Sequence, residues 1–470
     1  MPDSQPQEPE EPDRGGATAP GPAALVLCGA RLLDGRTVDV RIAGGRIESV
    51  HTAGSFPAPL WNARVDLSGY LLLPAPAEPH AHHDTALTAV PGGAAAPAPD
   101  PYGCGGPYAP EQVQRRTCEA ALLQLGHGAT ALRTHVRIGG PAGLRSLTAV
   151  LRAQRALRGL ADLTVVAVPR VLTGAAGADG RAMLRDAVRM GASAVGGCPD
   201  LDPDPVGCAE AVLEVAAEHG CAVDLHTDGG DPARLSRLAA MADGLRPGVT
   251  IGPCDGLAGL PHKTAARAAE TLAAAGITVV CLPQGRCGLL GGTGRGSRTA
   301  RAAGASPTTP VRLLRAAGVR VAAGSGALRD VANPVGRGDP LEAAYLLASR
   351  GDAGPEAAYE AVSGRAREAL GLPEVRIEPG FPAELLAVRG DTLAGALSLA
   401  YSRLVVHRGR VVARTSAVRE YCDTADLMDP VDPMDPMDPG PVGGAADAVD
   451  PTDVPEGPAA EPGLPRQSQR

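Results

Sequence analysis

Between about residues 70 and 372, short apolar runs alternate with longer Ala-, Leu- and Arg-rich segments. The runs fall at 71–73, 129–136, 163–168, 192–195, 222–226, 248–251, 277–282 and 319–323. The stretches between them carry apolar residues at helical spacing, as in 209–219 and 261–275. Repeated strand–helix units of this kind predict an α/β chain closed into a (β/α)8, or TIM, barrel. The alternative is an open doubly wound sheet. No G-x-G-x-x-G follows an early strand to favour it.

Two β-rich blocks flank the alternating region. In the first, Val38-Asp39-Val40-Arg41-Ile42 runs into Ala43-Gly44-Gly45, the pattern of a hairpin. The second, near the end, has its turn at His407-Arg408-Gly409. Neither block is large enough for a stable core of its own. The expectation is therefore a small β-sandwich domain assembled from both ends, residues 23–70 with 373–418, beside a barrel of 71–372. Residues 1–22 are rich in Pro and Glu, and residues 419–470 contain repeated Met-Asp-Pro units. Such stretches cannot bury a core and are expected to be disordered tails.

The 470-residue chain has a net charge of −8. The two tails hold more than the whole of this excess, and the arginines of the body are scattered over many helices. No basic stripe suited to nucleic acid results. No apolar run approaches the ~20 residues of a membrane span. The start, MPDSQPQEPEEPD, lacks the basic and apolar parts of a signal peptide. A soluble cytoplasmic protein is expected, without nucleic-acid or membrane partners. The ten cysteines include no Cys-x-x-Cys pair, so they read as reduced thiols and not as a zinc knot.

In a (β/α)8 barrel the chemistry sits at the C-terminal ends of the strands. The first strand runs into Glu78-Pro79-His80-Ala81-His82-His83-Asp84. Alternate side chains of an extended segment share a face, so His80 and His82 point together into the mouth. The fifth strand ends in Asp224-Leu225-His226-Thr227-Asp228, and His226 would meet that pair. Three imidazoles can hold zinc and leave one position open for water. A divalent ion there lowers the pKa of that water to about 7. His135 closes strand two, where it would line the pocket. His51, His219, His262 and His407 are expected in solvent, on turns or helix surfaces.

The order of these motifs resembles the cytosine deaminase branch of the amidohydrolase superfamily. That branch carries a first-strand motif close to E-P-H-x-H-x-D-K-x-L-T, and here Glu78 to Thr88 reads EPHAHHDTALT. Arg133-Thr134-His135-Val136, Gly196-Gly197-Cys198-Pro199, Val249-Thr250, Gly324-Ser325 and Arg329-Asp330 with Asn333-Pro334-Val335-Gly336 follow in order. The resemblance spans about residues 24–415. It implies one divalent ion, zinc or iron, on His80, His82 and His226. It also implies hydrolysis or deamination of a C–N bond in a small cyclic substrate, and assembly into a homo-oligomer.

The same resemblance implies three residues that this chain lacks. A glutamate that shuttles a proton falls on Gly229. A strand-six histidine that orients the attacking water falls on Pro253. A strand-eight aspartate, the fourth ligand, falls on Gly326. The pocket departs as well: the substrate-reading glutamine falls on Arg170, the motif lysine on Thr85, and the aspartate after His135-Val136 on Arg137. Asp228 and Asp330 remain as acids near the pocket, beside His135 and Arg170. Binuclear relatives need a carbamylated lysine on strand four, but the only lysine, Lys263, follows strand six. Losing a general acid or base costs about 10²–10⁴ in rate. The expectation is a small-molecule amidohydrolase with impaired catalysis. The alternative is a non-catalytic metal- or ligand-binding protein or partner subunit.

Overall fold

The computed structural model describes residues 24–55, 63–89, 108–140, 143–285, 308–399 and 401–417. The expected tails, 1–22 and 419–470, lie outside the described residues. Five strands open the chain: β1 (Leu25–Arg31), β2 (Thr37–Ala43), β3 (Arg46–Thr52), β4 (Ala63–Asp66) and β5 (Tyr70–Pro74). Eight more follow, each of the first seven leading into helix: β6 (Ala77–Ala81), β7 (Ala131–Ile138), β8 (Asp162–Pro169), β9 (Ala194–Gly197), β10 (Ala222–Thr227), β11 (Val249–Pro253), β12 (Thr278–Cys281) and β13 (Arg320–Ala323). The last three are β14 (Leu385–Arg389), β15 (Arg403–His407) and β16 (Arg410–Thr415).

Strands β6 to β13 pair in chain order and in parallel. A parallel bridge between Ala81 and Gly326 joins the ends of this sheet. The Gly326 N–H donates to the His80 carbonyl at 3.0 Å across the same seam. The result is the (β/α)8 barrel expected from the alternation. The other eight strands form one sheet in the order β16-β15-β14-β5-β1-β2-β3, with β4 against β1. Both ends of the chain supply it, and its hairpins turn at Gly44-Gly45 and Arg408-Gly409, as expected.

The two parts are joined through strands with no wet face. In β5, Leu71 and Leu73 pack into the barrel-side core while Leu72 faces the core of the terminal sheet. Strand β14 divides in the same way, Leu386 and Val388 against Leu385 and Ala387, and β15 places Val405 opposite Leu404 and Val406. A strand buried on both faces reads as an unbroken apolar run. This explains a correction: residues 71–73, expected to open the barrel, pair with β14, and the first barrel strand is β6. His407 is a second correction. It is fully buried, with Nδ1 2.8 Å from Glu384 Oε2. Its position next to a hairpin turn did not reveal the packing around it. No helix among the described residues is long and apolar enough to cross a membrane.

Candidate metal centre

Four histidines converge at the C-terminal ends of three barrel strands. His80 lies in β6 with His82 just beyond it, His135 lies in β7 and His226 in β10. All four are buried, and their ligand-capable atoms lie within 4.8 Å of one another. Strand alternation explains the convergence. Arg133 and His135 on β7, like Asp224 and His226 on β10, are two residues apart and share a face. Those faces meet inside the barrel, where Arg133 Nη1 donates to Asp224 Oδ2 at 2.9 Å.

The Nε2 atom of His82 is 3.3 Å from the Nε2 of His80 and 3.3 Å from that of His226. A tetrahedral zinc with Zn–N distances of about 2.0–2.1 Å holds its nitrogens about 3.3–3.4 Å apart. Both distances from His82 match that spacing. Nδ1 of His80 and of His226 is buried without a hydrogen-bond partner among the described residues, so packing orients those rings. Burial, reinforced by the neighbouring imidazoles, holds His80, His82 and His135 well below the ordinary histidine pKa. Burial lowers His226 to about 4. At neutral pH the cluster is uncharged, the state in which imidazole can ligate a metal.

His135 is oriented differently. Its Nδ1 lies 3.3 Å from the Ala81 carbonyl and its Nε2 3.2 Å from Asp224 Oδ1. The second contact is an ion-pair distance without hydrogen-bond alignment. Arg133 also donates to Thr250 Oγ1 at 3.2 Å and to the Ala369 carbonyl at 2.9 Å. A buried column of Arg133, Asp224 and His135 therefore underlies the three Nε2 atoms. Sequence reasoning missed Arg133 and Asp224 as parts of the site. Their signal was a charged residue two before each histidine, on the same face of a buried strand.

Glu78 forms the wall behind His80. One carboxylate oxygen accepts the His80 N–H at 2.9 Å; the other accepts the Ser325 N–H at 2.9 Å and the Ser325 hydroxyl. Burial raises its pKa to about 7 against the pull of those donors. His83 turns away from the cluster, with Nε2 2.7 Å from Gln124 Oε1.

The other sequence candidates are placed apart from the cluster. Arg170 is exposed at the end of β8. Asp228 is exposed, and its Oδ1 accepts the Gly230 N–H at 2.8 Å. Asp330 is buried; Oδ1 accepts the Ala332 N–H at 2.8 Å and Oδ2 the Thr85 hydroxyl at 3.0 Å. Gly229 and Gly326 have φ of +69° and +70°. Pro253 ends β11, with its carbonyl accepting the Thr309 hydroxyl at 2.6 Å.

Comparison with known proteins agrees with this architecture. A family profile described as "Amidohydrolase family" matches residues 93–413. A pterin deaminase of Rhizobium rhizogenes is 27% identical over 419 residues, 85% of this chain and 93% of its own length. Among solved structures, N-isopropylammelide isopropylaminohydrolase from Burkholderia multivorans superposes with a TM-score of 0.70 at 28% identity, covering 84% of this chain and 100% of that one. A 5-methylcytosine deaminase from Klebsiella pneumoniae, liganded with 5-fluorocytosine, gives 0.69 at 23% identity over 86% of this chain and 100% of its own, a likeness of fold.

Proposed function

We propose, from the premise that this chain belongs to the amidohydrolase family, that it holds one divalent ion, zinc or iron, on His80, His82 and His226, and is impaired in hydrolysis. The observation that carries the metal site is the convergence of the three histidines, with the Nε2 of His82 3.3 Å from each of the other two. A divalent ion so held supplies a Lewis-acid centre. The chain's own residues orient the three imidazoles, with Glu78 fixing the backbone of His80 and the Arg133–Asp224 pair backing the cluster.

The proton chemistry is what is missing. Gly229, Pro253 and Gly326 offer no side-chain acid, base or carboxylate ligand at positions where the family resemblance expects glutamate, histidine and aspartate. Asp228 does not replace the glutamate: it is exposed, and its carboxylate caps Gly230. The names of the relatives denote removal of an amine from a nitrogen heterocycle. We assign this chain a small ring ligand of that kind, bound without efficient turnover. Free cysteines among the described residues accord with the reducing environment of the cytoplasm.

Elemental analysis of the purified chain, with ammonia release assayed on cytosine and isocytosine, tests the reading. We expect close to one zinc or iron per chain, lost in His226→Ala, and no ammonia above background. Turnover abolished by His226→Ala would refute the impairment. A protein that takes up no metal would refute the three-histidine site.

A further inference from the structure

Gly229 and Gly326 stand where the resemblance places carboxylates, and Arg137 stands where it places an aspartate. Arg137 lies two residues beyond His135 on β7. It therefore shares the inward face and sits about 6–7 Å nearer the mouth. Its Nε is 3.4 Å from Asp84 Oδ2, and its side chain is 49% exposed. Its terminal nitrogens make no hydrogen bond among the described residues.

A second cation adjoins it. Arg116 is buried, donates through Nε to the Asp84 carbonyl at 2.9 Å, lies over the Tyr108 ring at 5.7 Å, and keeps Nη2 without a hydrogen-bond partner among the described residues. Both guanidiniums thus adjoin Asp84, Arg116 at its carbonyl and Arg137 at its carboxylate. Asp224 pairs with Arg133 and Glu78 faces its donors in the wall, while Asp330, bonded to Thr85 and its own loop, adds its charge to that of Asp84 beside Arg137. A divalent ion ligated only by neutral imidazoles would add two further positive charges. Uncompensated charge in a partly desolvated site is costly.

We infer that the mouth recognises a small ligand bearing an oxyanion, with Arg137 as the specificity-determining residue. The carboxylates that would balance the site in a relative are here to be supplied by the ligand. This rests on the metal-site reading above for the excess of positive charge, and on the half-exposed guanidinium of Arg137 for the recognition. A guanidinium pairs with a carboxylate or phosphate through parallel N–H donors, which gives the recognition direction as well as strength.

Calorimetric titration of the zinc-loaded full chain with orotate and with uracil compares one ring with and without a carboxylate. Inorganic phosphate is titrated as a third arm. Orotate should bind about ten- to a hundredfold more tightly than uracil, the range for a hydrogen bond to a charged group. Arg137→Gln should remove that preference with metal content unchanged, and Arg137→Lys should restore part of it. Phosphate displacing orotate would identify the oxyanion itself as the recognised group. Equal affinity for orotate and uracil, or an unaltered preference in Arg137→Gln with its metal intact, would overturn the inference. Metal content is measured on every sample. Stoichiometric zinc without orotate selectivity refutes this inference alone; Arg137-dependent orotate binding without metal refutes the metal site alone.

Discussion

Gly229 and Gly326 differ from a simple loss of side chain, because the backbone has settled into conformations that glycine allows. Their φ values of +69° and +70° lie in the left-handed region, where an L-residue costs roughly 1–2 kcal/mol. A Cβ at 229 would come within 3.3 Å of Leu257 Cγ and 3.4 Å of Cys254 Cβ; at 326 it would come within 3.2 Å of Leu282 Cδ1. Reinstating the family residues one at a time is therefore expected to harm the fold without helping the chemistry. Gly229→Glu should lose about 1–2 kcal/mol of stability in a denaturant melt. Gly326→Asp should lose less, since aspartate tolerates the left-handed region better. Neither single variant should release ammonia from cytosine. Full stability in Gly229→Glu would show that the backbone there relaxes freely, contrary to this account.

At the scale of elements, the seam between β6 and β13 determines where His80 points. Glu78 bridges it, accepting from the backbone of His80 on one side and from Ser325 on the other, while Gln124 donates to the Ser325 hydroxyl at 3.2 Å. Glu78→Ala leaves the His80 N–H, the Ser325 N–H and the Ser325 hydroxyl buried without that acceptor. Each unsatisfied group costs about 1–3 kcal/mol, so a loss of at least about 3 kcal/mol is expected, with weaker metal retention as His80 loosens. A urea melt and metal analysis of the same variant check both. Intact stability and metal would mean that the seam does not depend on Glu78. Much at this scale was legible in sequence. The 222–226 run and the residues before His80 placed three histidines at strand ends, because alternation is a local property. That the two ends of the chain build one sheet was legible, but which remote strands pair was not. Residues 71–73 carry the same apolar signal whether they line a barrel or a second sheet. His407 looks like a turn residue until Glu384, 23 residues earlier, is brought against it.

For the molecule as a whole, the question is whether the barrel and the terminal sheet are separate folding units. Their strands argue against it: β5, β14 and β15 each bury one face in either core. A polar tie reinforces the apolar one. Arg403 on β15 grips Asp339 with two bonds of 2.8 and 2.7 Å, and also donates to the His127 carbonyl at 2.6 Å. Asp339 in turn caps the helix Pro340–Ser349 by accepting the Leu341 N–H at 2.9 Å. Breaking a buried pair by removing one partner costs about 3–5 kcal/mol, whereas replacing both partners with apolar residues of similar volume is often neutral or better. Asp339→Ala should therefore lower the midpoint of a single cooperative transition seen by both secondary-structure and tertiary signals. The double variant Arg403→Met/Asp339→Leu should recover much of that loss, short of the helix cap, worth about 1 kcal/mol. Two separated transitions in either variant would show that the terminal sheet folds apart from the barrel. A single shifted transition would show that the sheet built from both ends of the chain and the barrel bearing the histidines unfold together, so that weakening a contact far from the cluster also releases the ligand geometry.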